Sequence, residues 1–473
     1  MKIAKRALCL LLLLCTCVWA QVPRDIPEQS EPPTPEHRIS PAEAQELFRS
    51  VDEILRFASQ DTGFPIKHKV QRRLTSRDEV ERFLQKSMAE DKDTQRLRRS
   101  ELVLKKFGLL PRDFNLQTFL VALLKEQIAG YYDPKTKTVN LLDWIEPLQQ
   151  HPVLAHELTH ALQDQSFGLR KFMKSEDLND KKGAPTAADI QNDEISVARQ
   201  AVVEGQAMAV LVDYMLQPVG RSLKNSPEIL EAMKQDMLAG SQNSPEMRNA
   251  PIFLREALMF PYRYGLDFTV ALLMAGGKEK AFPGAFAHPP VNSRQIMEPQ
   301  TYLANEQIPP LPLPDFEKYF PGYERFDIGA IGEFDVSVLI EQYAGDEAAH
   351  RLSPQWRGGY YYAVRSKADP NSPIGVLYLS RWPDGEIAAE FAAIYANALV
   401  KRYQRVVDQN GEPLSAGASP LQSLTGTHSW QTEEGAVVIA VTKDMVLVTE
   451  GLGAEVARAL QKELLSPYVS PTQ

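Results

Sequence analysis

Residues His151–Gln165 read HPVLAHELTHALQDQ, and the spacing of apolar and ionisable positions within them decides how this chain is understood. Pro152 suits the first position of a helix, where its missing N–H is no loss, and Val153, Leu154, Leu158, Ala161 and Leu162 form an apolar stripe at helical spacing. His156 and His160 stand four residues apart, so both imidazoles leave one face of that helix, one turn apart. Their nitrogens can meet at a single ion about 2.0–2.1 Å from each. Glu157 can point along the same cleft and hold a water on that ion, the arrangement of a zinc hydrolase. The plainer alternative is a pair of exposed histidines on an amphipathic helix, with Glu157 paired to His160.

Two histidines and a water leave zinc one protein ligand short. The extended H-E-x-x-H-x-x-G-x-x-H pattern is broken here, because Gln163 and Ser166 stand where its Gly and third His would be. Asp164, a further turn along, is better placed to accept an imidazole N–H than to bind the ion. The later stretch Ala198–Met215, ARQAVVEGQAMAVLVDYM, is apolar or small on nearly all sides, and Ala201, Gly205, Ala207 and Ala209 permit close approach of another helix. One acid, Glu204, is embedded in it. A carboxylate among Val202, Val203 and Gly205 needs a partner, which makes Glu204 the candidate third ligand. A buried ion pair with a residue such as Arg199 is the alternative. Glu194, on another face in a more polar stretch, is the rival ligand.

H-E-L-T-H on one helix and E-G-x-A on a later one resemble the gluzincin zinc metallopeptidases. The fuller strings HELTHALQDQ, VEGQA, PYRYGLDF and PPVNSRQI look like a group of exported bacterial gluzincin-like proteins, over about Ser40 to Tyr302. The resemblance implies one zinc per chain held by His156, His160 and Glu204, Glu157 as general base, and a peptide or protein as substrate. It also implies a Tyr or His that donates to the oxyanion, with Tyr262, Tyr264 and His288 as candidates, and a substrate-binding edge strand in the position of the 130–142 segment. PPVNSRQIMEP departs from the more usual P-P-x-S-T-E-Q-I-L-H-P at Asn292, Arg294 and Glu298. Two other functions suit the same residues: a catalytically idle scaffold that binds envelope proteins or peptides, and hydrolysis of a non-peptide amide.

The rest of the chain frames that site. Lys2, Lys5 and Arg6 precede an apolar run, Ala7–Val18, too short to span a bilayer comfortably, and Val18-Trp19-Ala20 offers a signal-peptidase site. Residues 1–20 are thus expected to be a signal peptide and the mature protein to be periplasmic or extracellular, without a transmembrane segment. A retained N-terminal anchor or a lipid on Cys15 or Cys17 are the alternatives. All three cysteines, Cys9, Cys15 and Cys17, lie in this segment, so the mature chain has no disulfide, thiolate ligand or cysteine nucleophile. With 61 acidic against 52 basic residues, net charge −9, the composition argues against nucleic acid or an anionic membrane surface as the main partner. Composition says nothing of oligomeric state.

Residues 21–39 read as a Pro-rich linker, and Ser40 with Glu43 as a capping box. Helices are expected at Pro41 onward, up to about Leu104, over Leu116–Ala129, Pro152–Phe167, Asn192–Met215, Ser226–Leu238 and Leu266–Met274. Strand alternation marks Phe64, Ile66, His68 and Val70, and GYYDPKTKTVNLL (130–142) reads as a hairpin. His151 reads as an exposed residue at a helix entrance. Proline concentrates over 306–322, a second linker, beyond which strands and helices alternate. The expected fold class is therefore α+β, with a zincin-like metallopeptidase domain at 40–305 followed by a small C-terminal α/β domain at 323–473. In that domain Trp356, Tyr360, Tyr361 and Tyr362 suit core-facing rings better than a binding surface.

Overall fold

Ser40 Oγ accepts the Glu43 N–H and Glu43 Oε2 accepts the Ser40 N–H, so the expected capping box opens α1 (Pro41–Thr62). The computed structural model describes residues 38–88, 91–127, 130–174, 183–414 and 419–465. The expected signal segment and nearly all of the 21–39 linker lie outside the described residues. Leu47, Val51, Ile54 and Leu55 face inward and lay α1 against α5 (Pro147–Phe167).

Phe64–Val70 forms no strand. The backbone N–H groups of Lys67 and His68 donate to Gln165 Oε1 at 2.8 and 2.9 Å, and Gln165 Nε2 donates back to the His68 carbonyl at 3.0 Å. With its polar groups taken by a side chain, this segment has no need of a sheet partner. The strand lies just beyond it. β1 (Gln71–Thr75) runs parallel to β3 (Thr138–Leu142), whose other side pairs antiparallel with β2 (Tyr131–Asp133). The predicted hairpin is thus present, with β1 and β2 as the two outer strands of this sheet. Between β1 and β2 come α2 (Arg77–Met88), α3 (Asp91–Lys106) and α4 (Leu116–Gln127).

Helix α5 starts at Pro147, five residues before Pro152, so Pro152 and His151 lie inside it. Pro147 supplies the same N-terminal preference one turn earlier, and Pro152 is close enough to the start to be tolerated. Helix α6 (Ala187–Leu216) likewise starts early, on a Thr186–Asp189 capping box. After α7 (Ile229–Asn243), α8 (Ile252–Glu279) extends well beyond the expected 266–274, carrying Pro261 in its interior. Helices α6 and α8 cross with backbones in contact: a Cβ at Gly205 would overlap the Gly265 backbone, and one at Gly265 would overlap the Ala201 carbonyl. By length and composition α6 could cross a membrane, yet 89% of its apolar window is buried inside the protein. It is the core helix around which α1, α5 and α8 pack.

The C-terminal half contains a seven-stranded sheet, order β4-β5-β6-β10-β9-β8-β7. Its strands are β4 (Tyr323–Ala330), β5 (Gly359–Ser366), β6 (Gly375–Arg381), β7 (Val406–Val407), β8 (Gly426–Thr432), β9 (Gly435–Thr442) and β10 (Met445–Glu450). Every pairing in it is antiparallel, which corrects the α/β expectation. Alternating strands and helices suggested crossovers, but β8–β9 and β9–β10 are joined by tight turns, the second with Lys443 at φ 52°, and such turns reverse the chain. Helices α10 (Glu333–Ala344), α11 (Gly385–Arg402) and α12 (Ala454–Leu465) complete this part; α9 (Ser293–Met297) precedes it. The architecture is mixed α+β.

Trp356 and the three tyrosines face the core as expected, with Tyr361 donating to Asp327 Oδ2 at 2.6 Å. The Pro-rich stretch lies along the sheet: Tyr360 donates to the Pro312 carbonyl at 3.0 Å and Phe316 stacks on Tyr362 with centroids 4.0 Å apart. One cluster of buried apolar residues runs through both halves. A buried charge network crosses the same seam, where Arg402 donates to both Glu450 oxygens at 2.7 Å and to the Lys106 carbonyl.

Candidate metal centre

The middle of helix α5 is enclosed on all sides, with every residue from Val153 to Asp164 buried. This removes the exposed-histidine alternative: His156 and His160 are 0% and 1% exposed. α6 brings Glu204, also 0% exposed, against them. His156 Nε2 lies 2.9 Å from His160 Nε2 and 3.2 Å from Glu204 Oε2, and His160 Nε2 lies 3.4 Å from that oxygen. Ligand atoms about 2.0–2.1 Å from one tetrahedral ion stand about 3.3 Å from each other. The three separations bracket that value, so the nitrogen and oxygen donors converge as one ion requires. Glu204 Oε1 is buried with no hydrogen-bond partner among the described residues. The three residues could hold a metal ion.

Electrostatics within the triad separates its members. Burial disfavours charge on both imidazoles, and at His156, with His160 beside it, burial prevails and lowers the pKa to about 4. At His160 burial is outweighed by the Glu204 and Glu157 carboxylates, which lift the pKa to about 9. Glu204 is raised by burial but held down to about 2 by the two imidazoles.

Glu157, 1% exposed, accepts the Tyr132 backbone N–H at Oε2, 2.7 Å away, which places it against the edge of β2. Gln163 accepts from His160 Nδ1 at 2.9 Å, the role expected of Asp164. Asp164 instead takes the Tyr132 hydroxyl at 2.9 Å, the Lys137 ammonium, and the Leu169 N–H at 3.0 Å. The two residues are successive on the helix and so lie about 100° apart around it. Only Gln163 faces α6.

Of the three oxyanion candidates, Tyr262 alone lies beside the triad, its ring centroid 6.3 Å from that of His156. Gly265, three residues on, makes the crossing that carries Tyr262 there. Tyr264 points elsewhere and accepts from Arg263 at 2.9 Å. His288 is exposed, and its carbonyl accepts from Tyr302. Arg199 does not pair with Glu204; it donates to the Phe172 carbonyl and stacks on that ring.

Glu194 is not the water-exposed residue its neighbours Asn192 and Asp193 suggest: it is 1% exposed and accepts from Ser293 N and Oγ at 2.8 and 2.6 Å. It anchors α9, where Asn292 caps the helix and Arg294 pairs with Glu306 and Glu333. The unusual residues of PPVNSRQI therefore hold the two halves together. Sequence reading missed Gln163, whose i+3 spacing from His160 was a usable signal, and the Tyr132 N–H, which leaves none.

Comparison of the chain with protein-family models, with curated proteins and with solved structures found no match.

Proposed function

We propose that this protein is an exported zinc metallopeptidase with a zincin-like, gluzincin-type site. The observation that carries this reading is the convergence of His156, His160 and Glu204 within 4.8 Å of one another. The donor set of two imidazoles, one carboxylate and no thiolate is that of a catalytic zinc site. When bound, zinc would supply Lewis acidity, polarising a peptide carbonyl and making a water acidic enough to lose its proton near neutral pH. Glu157 would take that proton and return it to the leaving amine. Its bond from Tyr132 N–H orients the carboxylate. Tyr262, whose ring centroid lies 6.3 Å from that of His156, is the oxyanion candidate nearest the triad and would donate to the developing oxyanion.

A second reading is favoured by one observation, the exposure of 1% or less at Glu157 and all three candidate ligands. A catalytically idle scaffold that binds envelope proteins or peptides would use the same ion to hold its fold. The two separate on one experiment, a comparison of exported peptides in cells producing the wild type and Glu157→Gln. Peptides found only with the wild type support the peptidase; identical peptide sets with zinc bound to both support the scaffold.

A further inference from the structure

The Gly276–Gly284 stretch, GGKEKAFPG, is more than a helix stop. Gly276 and Gly277 leave helical geometry, Gly277 with φ 66° and ψ −165°, and Lys280–Gly284 continues as a wide π-turn. Such turns loosen regular backbone pairing and recur at functional sites. Here they turn two carbonyls inward. Ala281 O and Phe282 O accept from Gln206 Nε2 at 2.8 and 3.0 Å, while Phe282, 1% exposed, packs edge-on to Phe64.

Those two bonds settle the orientation of a chain of amides. Only an NH2 group satisfies two carbonyls, so Gln206 must turn its Oε1 toward Gln163. Gln163 Nε2 donates to that oxygen at 3.1 Å and to the Val203 carbonyl at 3.0 Å. Gln163 Oε1 therefore faces His160 Nδ1, and an amide oxygen can only accept. Nδ1 must carry a hydrogen, which leaves Nε2 as the nitrogen presented to His156 and Glu204. Gln163 is 0% exposed and does this without adding a charge to the site.

We infer that Gln163 is a positioning residue for His160, fixing the tautomer that can bind metal, and that Gln206 and the Ala281–Phe282 turn hold Gln163 in register. This rests on the metal-site reading above. The test uses the full chain, with zinc affinity measured against a competing chelator for the wild type, Gln163→Leu and Gln163→Glu. Both variants lose the donor bonds to Val203 and Gln206, but only Gln163→Glu keeps an acceptor for Nδ1–H. Gln163→Leu is expected to bind zinc about 10–100-fold more weakly, with Gln163→Glu close to wild type. Equal weakening in both, or in neither, overturns the assignment. Proton–nitrogen spectra of the zinc-loaded wild type, labelled at histidine, give an answer that no folding defect can blur: a hydrogen on His160 Nδ1 is expected, and one on Nε2 overturns the inference. Wild-type protein that takes up no zinc removes the metal-site reading as well, which a normal affinity in Gln163→Leu does not.

Discussion

The Tyr132 N–H and Glu157 Oε2 are 2.7 Å apart, so the candidate base is tied to the edge of β2 by the backbone and not by a side chain. No substitution at position 132 other than proline removes the N–H that makes that bond. The carboxylate itself can be changed without losing it.

Glu157→Gln keeps an oxygen for the Tyr132 N–H and cannot accept a proton from water. We expect unchanged zinc content by elemental analysis and peptide hydrolysis reduced by about 10²–10⁴-fold. Full turnover in this variant would remove Glu157 from the mechanism.

Glu204→Ala and Glu194→Ala should fail in different ways. The first removes a metal donor, so zinc is lost to a chelator and hydrolysis disappears. The second removes the acceptor of two Ser293 bonds, so the unfolding free energy measured by chemical denaturation falls, by about 1.5–3 kcal/mol for each hydrogen bond to a carboxylate, while zinc is retained. Loss of zinc from Glu194→Ala alone would reverse the assignment.

At the α6–α8 crossing there is no room for a methyl group. Gly205→Ala and Gly265→Ala should each destabilise the protein by about 1–3 kcal/mol or more in chemical denaturation. Gly322→Ala, at a position with nothing within 4 Å, serves as the neutral control.

Tyr262→Phe is expected to lower kcat by about 10²–10³-fold at unchanged zinc content, because it removes the hydroxyl from the candidate ring that lies nearest His156. Tyr264→Phe, whose hydroxyl is engaged by Arg263, should leave kcat unchanged. An unchanged kcat in both variants would show that neither hydroxyl meets the oxyanion.

Stability should depend on pH through Asp213. Burial, reinforced by the charge of Asp61, raises its carboxyl from 3.8 to about 7, against the Leu223 N–H and Lys278. The folded state therefore binds this proton more tightly than the unfolded state, and the resulting stability is lost as pH rises through 7. Between pH 5 and 8 the wild type should lose on the order of 1–3 kcal/mol, measured by urea unfolding. Asp213→Asn, which keeps an oxygen for the Leu223 N–H, should show a flatter profile.

What the sequence determined by itself was local. An i,i+4 pair of histidines sits on one face of any helix, and a lone carboxylate among valines needs a partner in any fold, so His156, His160 and Glu204 were legible before their positions were known. The Ser40–Glu43 cap and the 130–142 hairpin were legible for the same reason, since each is made by residues a few positions apart. What only the tertiary structure decided was which face of a helix meets which neighbour. Gln163 and Asp164 are both within a turn of His160, and α6 on one side and Tyr132 and Lys137 on the other choose between them. Glu194 has polar neighbours in sequence and is sealed by Ser293, 99 residues away. The His160 tautomer depends on two carbonyls in a turn beyond the far end of α8. Spacing along a chain sets the direction of a side chain relative to its own helix; what stands opposite is set by packing between segments that are remote in sequence.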